Sequence, residues 1–252
     1  MTVAVARRWA PATTAPVVLA AAAVLAQIVY PLTPTGPARD RLTVITVIVF
    51  FAASVAHAIV WRGVRFAAAL VAVTAGGGLL VEVIGVATGV PFGAYRYTET
   101  LGRQLAGVPL VIPLAWTMMG YPALVVGRRI SRHGALGPLV AGAALAAWDL
   151  FLDPQMLDAG HWVWEPTAGP HLMGVPVANF LGWLVVAVLM MAVLWRATPD
   201  SPDDRVPIGL YLWTYASSVM AHALFFDLPE SAIVGGLGMG VVVALLARSY
   251  RT

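Results

Sequence analysis

The sequence predicts an all-α polytopic integral membrane protein, a single domain (residues 1–252) built as a bundle of about eight transmembrane helices. Three observations predict it. The chain is 60% hydrophobic and only 11% charged, whereas a soluble domain carries about 25% charged residues because its surface faces water. Its mean hydropathy is +0.84. Apolar runs long enough to cross a bilayer recur along the whole chain, so we expect most of the surface to face lipid.

Eight apolar runs are the predicted spans, because a helix needs about 20 mostly apolar residues to cross the hydrocarbon layer. Prolines follow several of them, such as Pro31 after the first, Pro154 after the fifth and Pro199 after the sixth. The first run follows Arg7 and Arg8, and its length without a clear cleavage site favours a helix over a signal peptide. Seven to nine spans fit the pattern, and the predicted ones are 14–31, 42–61, 66–88, 108–127, 134–152, 175–195, 206–226 and 230–247.

The arginines orient the bundle, since positively charged loops stay in the cytoplasm. With a cytoplasmic N-terminus, four arginines fall outside: Arg39, Arg41, Arg96 and Arg103. We therefore expect a multi-pass protein of the inner (plasma) membrane with both termini in the cytoplasm. The segment 89–107 can be a re-entrant loop or an interfacial helix, and a further crossing there would invert everything after it. The inside arginines are Arg7, Arg8, Arg62, Arg65, Arg128, Arg129, Arg132, Arg196, Arg205, Arg248 and Arg251.

Six polar residues, including Asp227 at the end of the seventh span, fall in the outer half of the predicted membrane region or at its outer surface. Ionisable groups inside a bilayer are costly, so each is a functional candidate. Glu82 lies near the outer end of the third span, while Asp149 and Asp153 close the fifth span, one turn apart on one helix face. Asn179 opens the sixth span, and His222 lies at the outer end of the seventh. Carboxyl groups from different spans at one level predict a common site.

Aromatic residues surround this level of the chain. Tyr95 and Tyr97 follow a Pro-Phe-Gly-Ala turn, Trp162 and Trp164 flank a valine, and Trp148 precedes Asp149. An aromatic rim above buried carboxyl groups is typical of the mouth of an apolar ligand site. Taken singly, the same residues can also be interfacial belt residues.

Simpler interpretations remain open for several of these groups. Glu82 can pair with an arginine of the 89–107 segment, and the two aspartates can form a polar cluster at a helix end. His57 is interpreted as structural, and His133 and His161 as loop residues. A metal site is not expected, because no histidine-rich ligand spacing accompanies the aspartates. Glycine runs at 76–78 and 235–240 lie inside spans, where small residues let helices approach closely.

Composition removes other classes of protein and site. The chain has no cysteine, which excludes disulfides, thiolate nucleophiles and iron–sulfur clusters. Its arginines are scattered between apolar runs, which does not indicate a nucleic-acid partner. We find no inverted repeat of the two halves, the feature typical of many transporters.

Four motifs resemble those of the membrane carotenoid biosynthesis proteins, a family that includes bisanhydrobacterioruberin hydratases and hydratases of γ-carotene and related ψ-ends. The resemblance covers about residues 75–195. The motifs are EVIGVATGVPFGAYRY at 82–97, WDLFLDPQM at 148–156, WVW at 162–164 and GVPVANFLGW at 174–183. It implies a hydro-lyase of the carotenoid 1,2-hydratase type, without an organic cofactor. The implied partners are an acyclic carotenoid (lycopene, γ-carotene or a C50 analogue), membrane lipid and other carotenoid-pathway enzymes.

The implied reaction adds water across the terminal C1=C2 double bond, by protonation of C2 and capture of the tertiary C1 cation by water. An alkene is a weak base, so the donor must be a buried acid that stays protonated near neutral pH. We assign Asp149 and Asp153 as the acid and its partner, and Glu82 as the carboxylate that activates water or balances charge. Asn179 is expected to position water or a loop carbonyl. Tyr95, Tyr97, Trp148, Trp162, Trp164 and His222 complete the expected substrate site.

Three rival functions remain open at this level. A ψ-end cyclase shares the first protonation and differs only in what captures the cation. Buried carboxylates also serve small proton-coupled transporters. A non-catalytic scaffold of the pigment pathway would not need several buried acids.

Overall fold

The computed structural model describes residues 11–131, 136–166 and 169–251, and eight helices make up most of that part of the chain. The predicted inside residues Arg7, Arg8 and Arg132, and the predicted loop residue His133, lie outside the described residues. The helices are α1 (Pro11–Val29), α2 (Pro37–Arg62), α3 (Val64–Thr88), α4 (Ile112–Ile130), α5 (Leu136–Asp158), α6 (Val177–Trp195), α7 (Arg205–Leu224) and α8 (Pro229–Arg248).

Six of these helices are long and apolar enough to cross a membrane, the exceptions being α4 and α7. Helix α4 packs against α2, α5 and α7, and all its residues from Trp116 to Gly127 are buried. A helix that faces protein rather than lipid can carry more polar residues. The all-α, multi-pass membrane fold is thus confirmed, and residues from all eight helices enter one hydrophobic core.

Helix α5 runs past its internal proline. Pro154 lies inside the helix, which continues to Asp158, so the prediction that Asp149 and Asp153 close the fifth span is wrong. Proline has no N–H to donate to the carbonyl four residues earlier, and the hydroxyl of Ser231 in α8 donates to that carbonyl, on Leu150, at 2.8 Å. Asp153 therefore lies more than a turn before the helix end, beyond the reach of the terminal dipole.

Helix α4 uses the same arrangement. Pro122 lies inside it, and the carbonyl that proline leaves without a helical donor belongs to Met118. The hydroxyl of Ser54 in α2 donates to that carbonyl at 2.9 Å. Prolines are tolerated in membrane helices when neighbouring side chains satisfy the freed backbone group.

Helix α3 contains a π-helical segment, Ala72–Gly76. Within it, the hydroxyl of Thr74 hydrogen-bonds that of Thr117 in α4 at 2.7 Å. One turn later Gly78 meets the Trp116 ring so closely that a Cβ there would lie 2.7 Å from the indole. Gly235 in α8 lies equally close to the Phe151 ring. These contacts confirm that the glycine runs let helices approach closely.

A polar cluster joins helices at the end of the bundle opposite the 89–107 segment. Arg62 pairs with Asp204 at 2.5 Å and donates to the hydroxyl of Tyr121 at 3.0 Å. Nδ1 of His57 lies 2.8 Å from the same hydroxyl, and Arg62 also donates to the Pro199 carbonyl. Burial of Asp204 raises its pKa, which the neighbouring Arg62 opposes. This charge-balanced cluster supports the structural interpretation of His57.

The segments that follow α3 and α5 are extended rather than helical. Strand β1 (Tyr95–Tyr97) pairs antiparallel with β4 (Trp162–Trp164), and a short 3-10 turn follows β1 at Glu99–Leu101. The segment 89–107 thus contains no α-helix and no further crossing. Two short hairpins precede α4 and α6: β2 (Gln104–Leu105) with β3 (Val108–Pro109), and β5 (His171–Leu172) with β6 (Val175–Pro176).

The two hairpins have the same turn. Ala106 and Gly107 close the first, Met173 and Gly174 the second, and all four residues have positive φ. Positive φ at both central positions is the type I′ pattern, which matches the twist of a two-residue hairpin. Glycine at the second position adopts this conformation without steric cost.

These matching features belong to an internal repeat, residues 77–129 and 144–196. Counterparts lie 67 residues apart, as Arg128 and Trp195 do, and each repeat runs from a helix through an extended strand and a hairpin to a second helix. Because β1 pairs with β4, α3 and α5 end on the same side of the bundle, so the repeat is parallel and not inverted. The counterpart pairs include Glu82 and Asp149, Tyr95 and Trp162, Tyr97 and Trp164, Pro109 and Pro176, and Trp116 and Trp183.

Candidate active site

One cavity lies at the end of the bundle where β1 and β4 pair. Its free volume is about 1220 Å³ with the open mouth included, which suits a large ligand. Side chains from helices α1 to α7 and from both paired strands line it. Of the predicted site residues, the cavity wall includes Glu82, Asp153, Asn179, Tyr95, Tyr97, Trp148, Trp162 and Trp164.

The β1–β4 ribbon presents four aromatic side chains to the cavity. Side chains alternate between the two faces of a strand. Tyr95 pairs with Trp164 and Tyr97 with Trp162, so all four lie on one face. Arg96, between the two tyrosines, is exposed on the other face. The sequence spacing aromatic-x-aromatic, present twice, is what places these rings together.

Glu82 is held by three donors. One carboxyl oxygen accepts from the hydroxyls of Tyr95 and of Tyr97, the latter at 2.8 Å, and the other accepts from the Trp116 indole at 3.1 Å. Burial and the nearby Glu82 raise the pKa of both tyrosine hydroxyls, which stay protonated and donate. Glu82 is 3% exposed. Its partners are therefore aromatic donors, and not Arg96 or Arg103, which are both exposed.

The two aspartates of α5 form a pair that Asn179 holds. The Asn179 amide group donates to one oxygen of Asp149 at 3.1 Å and to one oxygen of Asp153. An amide nitrogen carries two hydrogens, so it can serve both carboxyl groups at once. One amide thus brings the two buried carboxyl groups side by side. Asp153 lines the cavity, whereas Asp149 lies behind it, fully buried, with Oδ1 unpartnered.

Two tryptophans that were not predicted as site residues, Trp116 and Trp183, also line the cavity. The rings of Trp116 and Trp183 stack with centroids 3.9 Å apart and an interplanar angle of 9°, and Trp148 meets Trp183 edge-on at 6.2 Å. Phe92 contacts both stacked rings at 6.5 Å. The available signal was their position: each tryptophan follows a Val-Pro dipeptide at the same spacing.

Neither His222 nor His161 lines the cavity. His222 is fully buried, with Nε2 3.2 Å from Oε1 of Gln155, and only Gln155 of this pair lines the cavity. The structure thus puts His222 behind the wall. His161 lies in a loop, as expected, but is fully buried, and Nδ1 lies 2.8 Å from the Thr100 hydroxyl. Burial lowers the pKa of His161, so it packs there as a neutral ring.

The site brings together three carboxyl groups with no positively charged partner among the described residues. Among the described residues, no arginine or histidine forms a salt bridge with Glu82, Asp149 or Asp153, and the salt bridges present lie at the opposite end. No three histidine or carboxylate side chains in the described part converge as metal ligands. Buried acids facing an aromatic cavity can hold and deliver a proton, and the aromatic faces can stabilise a cation.

Comparison with known proteins finds matches that include the candidate site. Residues 42–245 match the family described as "Carotenoid biosynthesis protein". The chain is 35% identical over 151 residues to the bisanhydrobacterioruberin hydratase of Haloarcula japonica, a match that covers 53% of this chain and 50% of that protein. The chain thus spans about half the length of this relative. No solved structure matches it. The family match takes in both repeats and every residue of the carboxyl and aromatic clusters, and the chain therefore belongs to the carotenoid biosynthesis protein family.

Proposed function

We propose that this protein is a carotenoid hydratase that adds water across the terminal C1=C2 double bond of an acyclic ψ-end carotenoid. The observation that carries the proposal is the buried Asp149–Asp153 pair, one member of which lines an aromatic cavity. The name of the Haloarcula japonica relative supports hydration as the reaction. Lycopene, γ-carotene and C50 analogues all present the required end.

The first step is proton transfer from Asp153 to C2. Asp153 is assigned as the donor because it lines the cavity, while Asp149 lies behind it. The electron pair of the double bond forms the new C–H bond, which leaves a tertiary cation at C1. The Asn179 amide donates to the carboxylate that Asp153 becomes, and the fully buried Asp149 keeps its own proton, because two adjacent buried carboxylates would repel each other.

The aromatic walls and Glu82 stabilise the cation. The faces of Trp116, Trp148 and Trp183 supply negative quadrupole without a nucleophile that would trap the cation. Glu82 balances the positive charge, and its three donors hold it at a distance from C1. Of the two roles expected for Glu82, we therefore propose charge balance rather than water activation.

Water then completes the reaction. A lone pair of the water oxygen forms the C–O bond at C1, and the resulting oxonium gives its extra proton to the Asp153 carboxylate. The acid is restored, and the product is a tertiary alcohol. Nothing is oxidised or reduced, so the proposed enzyme is a cofactor-independent hydro-lyase.

The setting of the reaction is also proposed. The arginine distribution supports an inner (plasma) membrane protein with both termini in the cytoplasm and the cavity toward the outer side. A hydrophobic core shared by all eight helices supports a single domain. Membrane lipid would surround it, and other carotenoid-pathway enzymes would supply its substrate.

The test is expression in a bacterium that accumulates lycopene, with pigment extracts separated by chromatography and analysed by mass. A more polar product heavier by one water, absent with Asp153→Asn at equal protein abundance, is the expected result. An isomer of unchanged mass would instead establish cyclisation. No product from lycopene, γ-carotene or a C50 precursor, with the protein verified in the membrane, would overturn the hydratase assignment and favour transport.

A further inference from the structure

One arm of the cavity differs from its aromatic wall. It extends between α1, α2 and α7, three helices that lie outside the internal repeat and pack against one another. Hydroxyl and amide side chains dominate its lining: Gln27, Thr43, Thr46, Thr214, Ser217 and Ser218. The other wall offers mainly aromatic faces, and the carboxyl and amide groups of Glu82, Asp153 and Asn179 there already have protein partners.

Three polar atoms in this arm have no protein partner. They are Oε1 of Gln27, Oγ1 of Thr46 and Oγ1 of Thr214, and all three are buried. Thr46 is 8% exposed and Thr214 only 2%. A buried hydroxyl or amide oxygen without a hydrogen bond costs about 1–3 kcal/mol, so native proteins almost always satisfy such groups with protein or ordered water.

The neighbouring hydroxyl groups differ in this respect. Thr43 donates to the Arg39 carbonyl at 3.1 Å, and Ser217 donates to the Thr214 carbonyl at 3.3 Å. The two threonine hydroxyls therefore do not lack a partner because acceptors are scarce in this region, and the Gln27 amide oxygen lacks a donor. The three unpartnered atoms come from three different helices and line one cavity, which is the arrangement of a site for small hydrogen-bonding molecules.

We propose that the α1–α2–α7 arm is the water site of the enzyme, with Thr46, Thr214 and Gln27 holding the water that captures the C1 cation. This inference rests on the proposed hydratase function. A cation formed against the aromatic wall has two fates: water adds, or a proton returns to the carboxylate and the alkene re-forms. Water held in the arm of the same cavity decides between them.

The two fates can be separated in D₂O. Asp153 then carries deuterium, which it delivers to C2. If the cation loses a hydrogen instead of gaining water, the recovered carotenoid contains deuterium but no added oxygen. Alcohol formation and deuterium incorporation into unhydrated carotenoid thus report separately on capture and on protonation.

The experiment compares wild type, Thr46→Val/Thr214→Val and Thr198→Val, all as full-length protein in lipid nanodiscs with the carotenoid hydrated by the wild type. Valine keeps the size of threonine and removes the hydroxyl. Thr198 is a buried threonine at the opposite end whose hydroxyl is already bound to the Leu194 carbonyl, so it controls for the loss of a buried hydroxyl.

The double variant is expected to lose alcohol formation about tenfold or more, the worth of one or two hydrogen bonds, while deuterium incorporation persists or rises. Thr198→Val should keep both rates. Unchanged alcohol formation in the double variant would overturn the inference, and so would an equal fall of both rates or a change confined to KM, which would indicate a substrate-binding arm. If wild type produces neither alcohol nor deuterated carotenoid from any ψ-end substrate, the proposed function itself fails.

Discussion

The two repeats place a carboxyl group at the same point and surround it differently. In the first repeat, Glu82 accepts hydrogen bonds from three aromatic donors. In the second, its counterpart Asp149 is bound by an amide and lies beside a second carboxyl group. The counterparts of Asp153 and Asn179 in the first repeat are Val86 and Ile112. Under the proposed mechanism, the matched residues form a scaffold, and the unmatched Asp153 and Asn179 identify the second repeat as the one that carries the acid.

The largest expected effect comes from replacing Asp153 of the second repeat, for example by valine, the residue at the matching position of the first repeat. Asp153→Val, or the isosteric Asp153→Asn, should lower kcat about 10²- to 10⁴-fold, the usual contribution of a general acid. The measurement is alcohol formation per folded protein in nanodiscs. Asp158→Asn is the matched control, since it removes an exposed carboxyl group from the same helix and should keep full activity. Activity above a tenth of wild type in the Asp153 variants would end the assignment of roles to the repeats.

Removal of the amide that holds the acid pair should have the next largest effect. Asn179→Leu keeps the approximate shape and removes both donors. Hydrogen bonds to charged groups contribute about 1.5–3 kcal/mol, so kcat should fall about 10- to 100-fold. The D₂O assay should show that alcohol and deuterated carotenoid decline together, because protonation itself is slowed. A decline of alcohol alone would mean that Asn179 positions water.

The scaffold carboxylate should matter less than the acid. Glu82→Gln keeps an oxygen for the tyrosine hydroxyls and removes the charge. We expect about a tenfold loss of kcat with little change in KM, because the aromatic faces still stabilise the cation. Steady-state kinetics beside Asp149→Asn provide the comparison. If Glu82→Gln proves as damaging as Asp149→Asn, the two repeats contribute equally and the distinction between them is wrong.

A steric change in the first repeat tests the stacked tryptophans. Gly78→Ala puts a Cβ 2.7 Å from the Trp116 ring, and overpacking of this kind costs about 1–3 kcal/mol. Gly76→Ala, in the same glycine run, meets nothing within 4 Å and should be neutral or slightly stabilising. Thermal unfolding and near-UV circular dichroism of the two variants check this. Equal stability would show that the Trp116–Trp183 stack adapts freely.

The smallest expected effects concern Ser54 and Ser231, whose hydroxyls bind the carbonyls left free by Pro122 in the first repeat and Pro154 in the second. Ser231→Ala and Ser54→Ala each leave a buried carbonyl without its donor, so each should lower the free energy of unfolding by about 1 kcal/mol. Chemical unfolding in detergent measures both. Pairing Ser231→Ala with Pro154→Ala should recover most of the loss, since alanine restores the helical N–H. No recovery would show that the serine acts elsewhere.

Hydropathy predicted the fold well because the bilayer imposes it. Each predicted span corresponds to a helix, with ends differing by a few residues. The end of the fifth span was predicted wrongly at Pro154, because the residue that satisfies the freed Leu150 carbonyl, Ser231 of α8, lies far along the chain. The sequence does not show which distant hydroxyl will satisfy a freed carbonyl. The strands at 89–107 were missed for a related reason, since a three-residue strand is defined by its partner.

The candidate site was partly predictable. Glu82, Asp149, Asp153 and Asn179 were identified from the cost of polar groups in lipid, and the structure brings all four to one end of the bundle. The stacked tryptophans were not, because tryptophans in membrane segments are common and stacking depends on helix contacts. The sequence did contain the repeated Leu-x-Gly-Val-Pro hairpin, but divergence of the flanking helices obscured the repeat. The unpartnered atoms of the cavity arm can be identified only from the three-dimensional structure.

The π-helical segment of α3 has a consequence for how this protein tolerates change in length. A π segment accommodates an additional residue in a helix, and each residue advances an α-helix by about 100°. Deletion of one residue between Ala72 and Gly76 would remove the π turn and leave an ordinary helix, with Glu82 still on the face that meets Trp116. Insertions and deletions in an apolar helix usually pass unnoticed in composition. The π segment can therefore lose a residue without moving the carboxylate, whereas the same loss between Gly77 and Val81 would turn Glu82 by about 100° away from Trp116.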